Sequence, residues 1–118
     1  KSAWICSDRE IVDKYNQSDL CGFTFTTDAF EGLFLLMKGT YSKEGWLLKN
    51  EQLPVLFLGG EKDPCIGNGR KFVQEMQFLK QVGYKNVTGK IYPNMRHEIL
   101  NEKGKETVYE NILSYLEK

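Results

Sequence analysis

The sequence is poor in histidine, cysteine and proline, with one, three and three residues in 118. A single histidine, scattered cysteines and no carboxylate pair at ligand spacing give metal binding little support, so no metal is expected. Cys6, Cys21 and Cys65 are odd in number and lack C-x-x-C spacing. They are expected to be free thiols in a reducing, cytoplasmic compartment, not a disulfide framework or a zinc site. An excess of one charge is also missing, since 16 Lys and Arg balance 16 Asp and Glu. Nothing electrostatic therefore points to nucleic acid or an anionic membrane as partner. No apolar run reaches membrane-spanning length, and no signal peptide opens the chain. The G-x-G-x-x-G and P-loop patterns are absent, and no cofactor is implied.

Hydrophobic residues at 41% and charged residues at 27% are ordinary for a globular protein, and the length suits one domain with a real core. The chain begins at Lys1 instead of methionine. We expect from this that it comes from a longer chain by processing or truncation.

Ser7-Asp8-Arg9-Glu10 has capping-box spacing and predicts a short helix from about Asp8 to Asn16. Cys21 to Thr27 reads as a loop. Asp28 is expected to cap a second helix through Lys38, with Gly39 ending it, and a weaker helical stretch is expected over Ser42 to Asn50. The composition changes at Pro54. Val55-Leu56-Phe57-Leu58, stopped by Gly59-Gly60, reads as a strand buried on both faces. Gly67-Asn68-Gly69 leads into a helix from about Arg70 to Val82, with Gly83 as its stop. Val87 to Tyr92 forms a second strand, and Thr107 to Glu117 a last helix.

The second half thus reads β-α-β-α, and a crossover helix makes the strands parallel. Two parallel strands alone leave two unpaired edges and bury little area, so the fold is expected to be incomplete without upstream strands. The expected organisation is a helical cap or lid over residues 1–52 and an α/β core over residues 53–118.

In open α/β sheets, reactive groups gather beyond the carboxyl ends of the strands. Asp63 follows the first strand and His97 the second, so parallel strands bring both to one edge. A carboxylate there can accept the imidazole Nδ1 hydrogen and leave the other ring nitrogen to take a proton from a hydroxyl nucleophile. Asp before His, one βα unit apart, is the tail of the Ser…Asp…His order. The alternative is that Asp63 only caps its Gly-x-x-Asp-Pro turn and His97 only packs.

The stretch Leu53-Pro54-Val55-Leu56-Phe57-Leu58-Gly59-Gly60-Glu61-Lys62-Asp63-Pro64 resembles the acid-bearing strand of α/β-hydrolases. The resemblance is to the lysophospholipase and monoacylglycerol-lipase-like branch, often described as serine aminopeptidase-like. Gly67-Asn68-Gly69, Val87 to Lys90 and Tyr92-Pro93-Asn94-Met95-Arg96-His97-Glu98-Ile99-Leu100-Asn101-Glu102 are similar to that branch in register. Asp8 to Lys38 resembles its helical cap more weakly. The resemblance implies that Asp63 orients His97, which acts as general base and then acid on an ester or lipid-like substrate. It also implies a departure: the branch carries its nucleophile in G-x-S-x-G upstream of the cap. Ser2, Ser7, Ser18, Ser42 and Ser114 all lack that context. The chain alone is therefore expected to be inactive, to need the N-terminal part of the same protein, and to self-associate without it.

Cys65, two residues from Asp63, lacks an elbow and reads as a small loop residue. Gly67-Asn68-Gly69 reads as a flexible turn before it reads as a phosphate cradle. Arg96 and Glu98 read as solvated loop charges. Phe23, Phe25, Phe30, Phe34 and Trp46 are candidates for a cap lining an apolar pocket, or for an ordinary helical core. From other classes, a non-catalytic α/β binding or interaction module is the alternative reading, with a nucleotide-binding half-domain behind it.

Overall fold

The computed structural model describes residues 1–117, so Lys118, the end of the second expected unit, lies outside the described residues. In chain order the elements are α1 (Arg9–Gln17), α2 (Thr27–Thr40), β1 (Val55–Gly60), a 3-10 turn (Pro64–Ile66), α3 (Gly69–Val82), β2 (Val87–Tyr92) and α4 (Lys105–Leu116). The two strands pair in parallel, from Val55 opposite Val87 to Gly60 opposite Tyr92.

Alternation along β2 sorts the helices onto opposite faces. Gly89 faces α3, where an added Cβ would sit 2.8 Å from Phe72 Cε1. Glycine in this strand is thus where a helix side chain approaches the backbone. The rings of Phe57 and Phe72 meet edge-on at 6.3 Å. Lys90 and Tyr92, on the other face, reach Asn111 of α4. The buried apolar residues are Ile5, Cys6, Phe72, Val87, Tyr92 and Val108.

Several local expectations change. α2 starts one residue before Asp28 and is capped by Thr26, whose hydroxyl accepts the Ala29 N–H at 3.3 Å. Gly39 lies inside that helix, with nothing within 4 Å of where its Cβ would be. Ser42 to Asn50 is irregular, with one turn at Glu44–Gly45, instead of a helix. There the Trp46 indole donates to the Ser42 carbonyl at 2.8 Å, and its ring packs on Phe78 of α3 and on Tyr84. Packing of one large aromatic outweighs a weak helical preference.

β1 runs two residues further than expected, through Gly59 and Gly60. Its apolar side chains Val55 to Leu58 are only half-buried, and full burial is confined to those glycines. α3 is capped by Asn68, which accepts the Lys71 N–H at 3.0 Å, and it ends at Gly83 with φ +127°. α4 begins at Lys105, two residues earlier than expected.

Candidate active site

Asp63 stands just beyond β1, with its own N–H bonded to the Gly60 carbonyl at 3.1 Å. It caps the 3-10 turn that follows, its Oδ1 accepting the Cys65 N–H at 2.8 Å. That bond fixes the carboxylate plane and turns Oδ2 toward the neighbouring loop. There Oδ2 lies 2.9 Å from Nδ1 of His97. A carboxylate only accepts, so Nδ1 carries the hydrogen in this contact. The Asp63 side chain is 5% exposed and that of His97 44%. The acid is therefore shielded while the imidazole opens to solvent. The structure brings together the two residues expected at this sheet edge.

Backbone contacts hold the two loops against each other. The Glu61 N–H donates to the Tyr92 carbonyl at 3.0 Å and the Lys62 N–H to the Met95 carbonyl at 2.8 Å. The Asn94 N–H donates to the Glu61 carboxylate at 3.0 Å, and Asn94 adopts φ +62°, a left-handed position asparagine tolerates. Gly60 has no room for a side chain, because a Cβ would lie 2.6 Å from the Met95 carbonyl carbon.

The other side of the His97 loop rests on the start of the chain. His97 and Glu98 donate their N–H groups to the carbonyls of Trp4 and Ile5 at 3.3 and 2.8 Å. The Trp4 and His97 rings sit 5.0 Å apart, tilted by 54°. Arg96, expected to be solvated, instead donates from its guanidinium to the carbonyls of Ala3 and Cys6. Glu98 accepts from Asn101 at 2.8 Å.

Glu102 is the hub of this arrangement and is 2% exposed. Its carboxylate accepts from the Ser7 N–H, the Ser7 hydroxyl and the backbone N–H groups of Arg96 and Lys103. Burial pushes this carboxyl up, but the hydrogen bonds from Ser7, Arg96 and Lys103 outweigh it and hold the group below its ordinary value. Ser7 therefore serves Glu102, and the α1 cap is Asp8, which accepts the Glu10 N–H at 2.9 Å. Local spacing named Ser7 as a cap because nothing local signals a partner 95 residues away.

Cys65 is a free, exposed thiol two residues after Asp63. Partial burial of its thiol, then the charge of Asp63 and a hydrogen bond to it, push the thiol up. That favours the protonated, weakly nucleophilic form. Gly67, with φ +71°, ends the 3-10 turn, and Gly67-Asn68-Gly69 serves as the turn that enters α3. Phe23, Phe25, Phe30 and Phe34 form a chain of ring contacts with spacings of 5.5 to 6.2 Å. All four are exposed, while Trp46 belongs to the α3 packing.

A parallel βαβα unit with a buried acid and an open imidazole beyond adjacent strand ends is part of an α/β-hydrolase fold. The sequence model of the family described as serine aminopeptidase, S33, matches residues 1–104, and the chain belongs to that family. It is similar in structure to a highly thermostable carboxyl esterase from Bacillus coagulans, solved in complex with glycerol, at 26% identity and a TM-score of 0.82. The similarity covers 98% of this chain and 38% of the esterase, so the chain spans well under half of that relative's length. No curated protein matches the sequence.

Proposed function

We propose that the whole protein hydrolyses carboxylic esters through a serine acyl-enzyme, with Asp63 orienting His97 and His97 moving the proton. The observation that carries this reading is the 2.9 Å contact between His97 Nδ1 and the shielded Asp63 carboxylate at the carboxyl edge of parallel strands. With Nδ1 committed to Asp63, Nε2 is the nitrogen left to take the hydroxyl proton of a nucleophile. It then returns that proton to the leaving alcohol. The nucleophile lies outside these 118 residues, in the remainder of the same protein.

Substrates of the lysophospholipid or monoacylglycerol type are the favoured class. The exposed Phe23, Phe25, Phe30 and Phe34 would cover an acyl chain from a cap formed by residues 1–52, over a core formed by residues 53–118. The exposed apolar surface of α2, with Phe34, Leu35 and Leu36 each more than 60% exposed, supports self-association of the 118-residue chain when the remainder is absent. A cytoplasmic setting accords with three free cysteines. No helix among the described residues is long and apolar enough to cross a membrane.

The test is labelling of the full natural chain with a fluorophosphonate probe, read by intact mass beside hydrolysis of a monoacyl ester. One adduct and measurable hydrolysis are expected, while the 118-residue chain alone gains no adduct. A full chain that takes no probe and cleaves no ester overturns the hydrolase reading in favour of a binding module.

A further inference from the structure

We infer that Asp63, Cys65 and His97 form a zinc-binding site that excludes the Asp63–His97 hydrogen bond. The three side chains each offer one donor atom, and these atoms lie within 4.8 Å of one another. Asp63 and Cys65 come as a pair from the 3-10 turn, because the Cys65 N–H bonded to Asp63 Oδ1 curls the thiol back beside the carboxylate. His97 comes from the neighbouring loop, with Nδ1 already 2.9 Å from Oδ2. A tetrahedral zinc ion bound by oxygen, nitrogen and sulfur needs donor separations of roughly 3.3–3.6 Å. Cys65 and His97 are both exposed, which leaves their side chains room to turn toward that spacing.

The donor set selects the ion. One sulfur, one imidazole nitrogen and one carboxylate oxygen suit zinc, whereas calcium and magnesium require a shell of oxygens. A thiolate and a carboxylate also neutralise the two charges of the ion, and the ligands divide between loops that the paired strands hold in place. The exposed side leaves the fourth position to water. On binding, the Cys65 thiol releases its proton to solvent, and the hydrogen on Nδ1 moves to Nε2. The ring then has no free nitrogen to accept a proton. Metal binding rests on donor geometry alone, and only its inhibitory consequence rests on the proposed hydrolysis.

The test uses the full natural chain titrated with zinc by calorimetry, and with cobalt(II) by absorbance to report thiolate ligation. One equivalent with a thiolate-to-cobalt charge-transfer band is expected. Cys65→Ser removes the band and weakens zinc binding at least tenfold, and zinc protects Cys65 from alkylation by iodoacetamide. No stoichiometric binding, or equal binding in Cys65→Ser, overturns the site and leaves adventitious binding only. In the hydrolysis assay, zinc inhibits, a chelator restores activity, and Cys65→Ser resists the same zinc concentration. Equal inhibition of both proteins also overturns the site. Zinc binding through Cys65 in a chain that hydrolyses no ester even without metal leaves the site standing and overturns the hydrolase reading instead.

Discussion

Ser7 and Glu102, 95 residues apart, are joined twice: the Ser7 N–H donates to Oε1 at 2.9 Å and the Ser7 hydroxyl to Oε2. The same carboxylate holds the Arg96 N–H at 2.9 Å, one residue before His97. A single buried side chain therefore ties the start of the chain to the loop that presents the imidazole. Glu102→Gln keeps the shape but turns an NH₂ toward groups that themselves donate. The expected cost is about 1–3 kcal/mol of stability, the penalty for buried donors left unpaired. Thermal unfolding of the full natural chain measures it.

The same residue sets a pH dependence. Its folded pKa lies below the ordinary value of 4.5. The carboxylate's contribution is therefore complete above about pH 4.5 and is lost as pH falls through the lower, folded value. Unfolding temperature should drop more steeply below that pH in the native protein than in Glu102→Gln. Parallel pH curves for the two proteins would show that Glu102 contributes nothing to the acid transition.

Ile5 is 1% exposed and its carbonyl accepts the Glu98 N–H. Ile5→Ala leaves that backbone bond possible and removes apolar contact alone. A loss of about 2–5 kcal/mol is expected, as for other large-to-small core changes. Denaturant titration reads it as a lower midpoint at unchanged slope. A change within 0.5 kcal/mol, the range of exposed substitutions, would mean that the first residues are peripheral.

Gly60→Ala places a methyl group against the carbonyls of Met95 and Arg96. Backbone cannot rotate away as a side chain can, so the His97 loop must move. The expected outcome is about 1–3 kcal/mol of destabilisation, together with loss, in the full chain, of the proposed ester hydrolysis beyond what instability explains. Full activity in Gly60→Ala would show that the two loops tolerate separation.

Asp63→Asn tests the acid. The amide presents an NH₂ or a carbonyl to Nδ1 and no longer enforces one tautomer. A fall in kcat of about 10⁴ is expected with the fold retained, the size seen when a triad carboxylate is amidated. Retained activity in the full chain would remove Asp63 from the proposed mechanism.

Periodicity and turn residues were enough to place both strands, their parallel pairing and the helix between them. Val87 to Tyr92 has the same bounds in sequence and structure, since Asn86 precedes it and Pro93 follows it. The Asp63–His97 meeting was also legible, because parallel strands bring successive strand ends to one edge. Local signals failed where one distant partner decided the outcome. Ser42 to Asn50 has helical composition, yet Trp46 docks on Phe78 and the backbone follows the indole. Ser7 has a cap's spacing and its hydroxyl goes to Glu102.

By itself, the sequence determined both strands and the four helices that form, and that an acid and an imidazole follow successive strands. These are properties of neighbours within a few residues, where pattern and backbone preference act. Only the tertiary structure decided that Trp4 and Ile5 brace the His97 loop directly, and Ser7 through Glu102. Such contacts close between residues far apart in the chain. Burial and hydrogen bonding select them as the chain folds, and no local spacing encodes them.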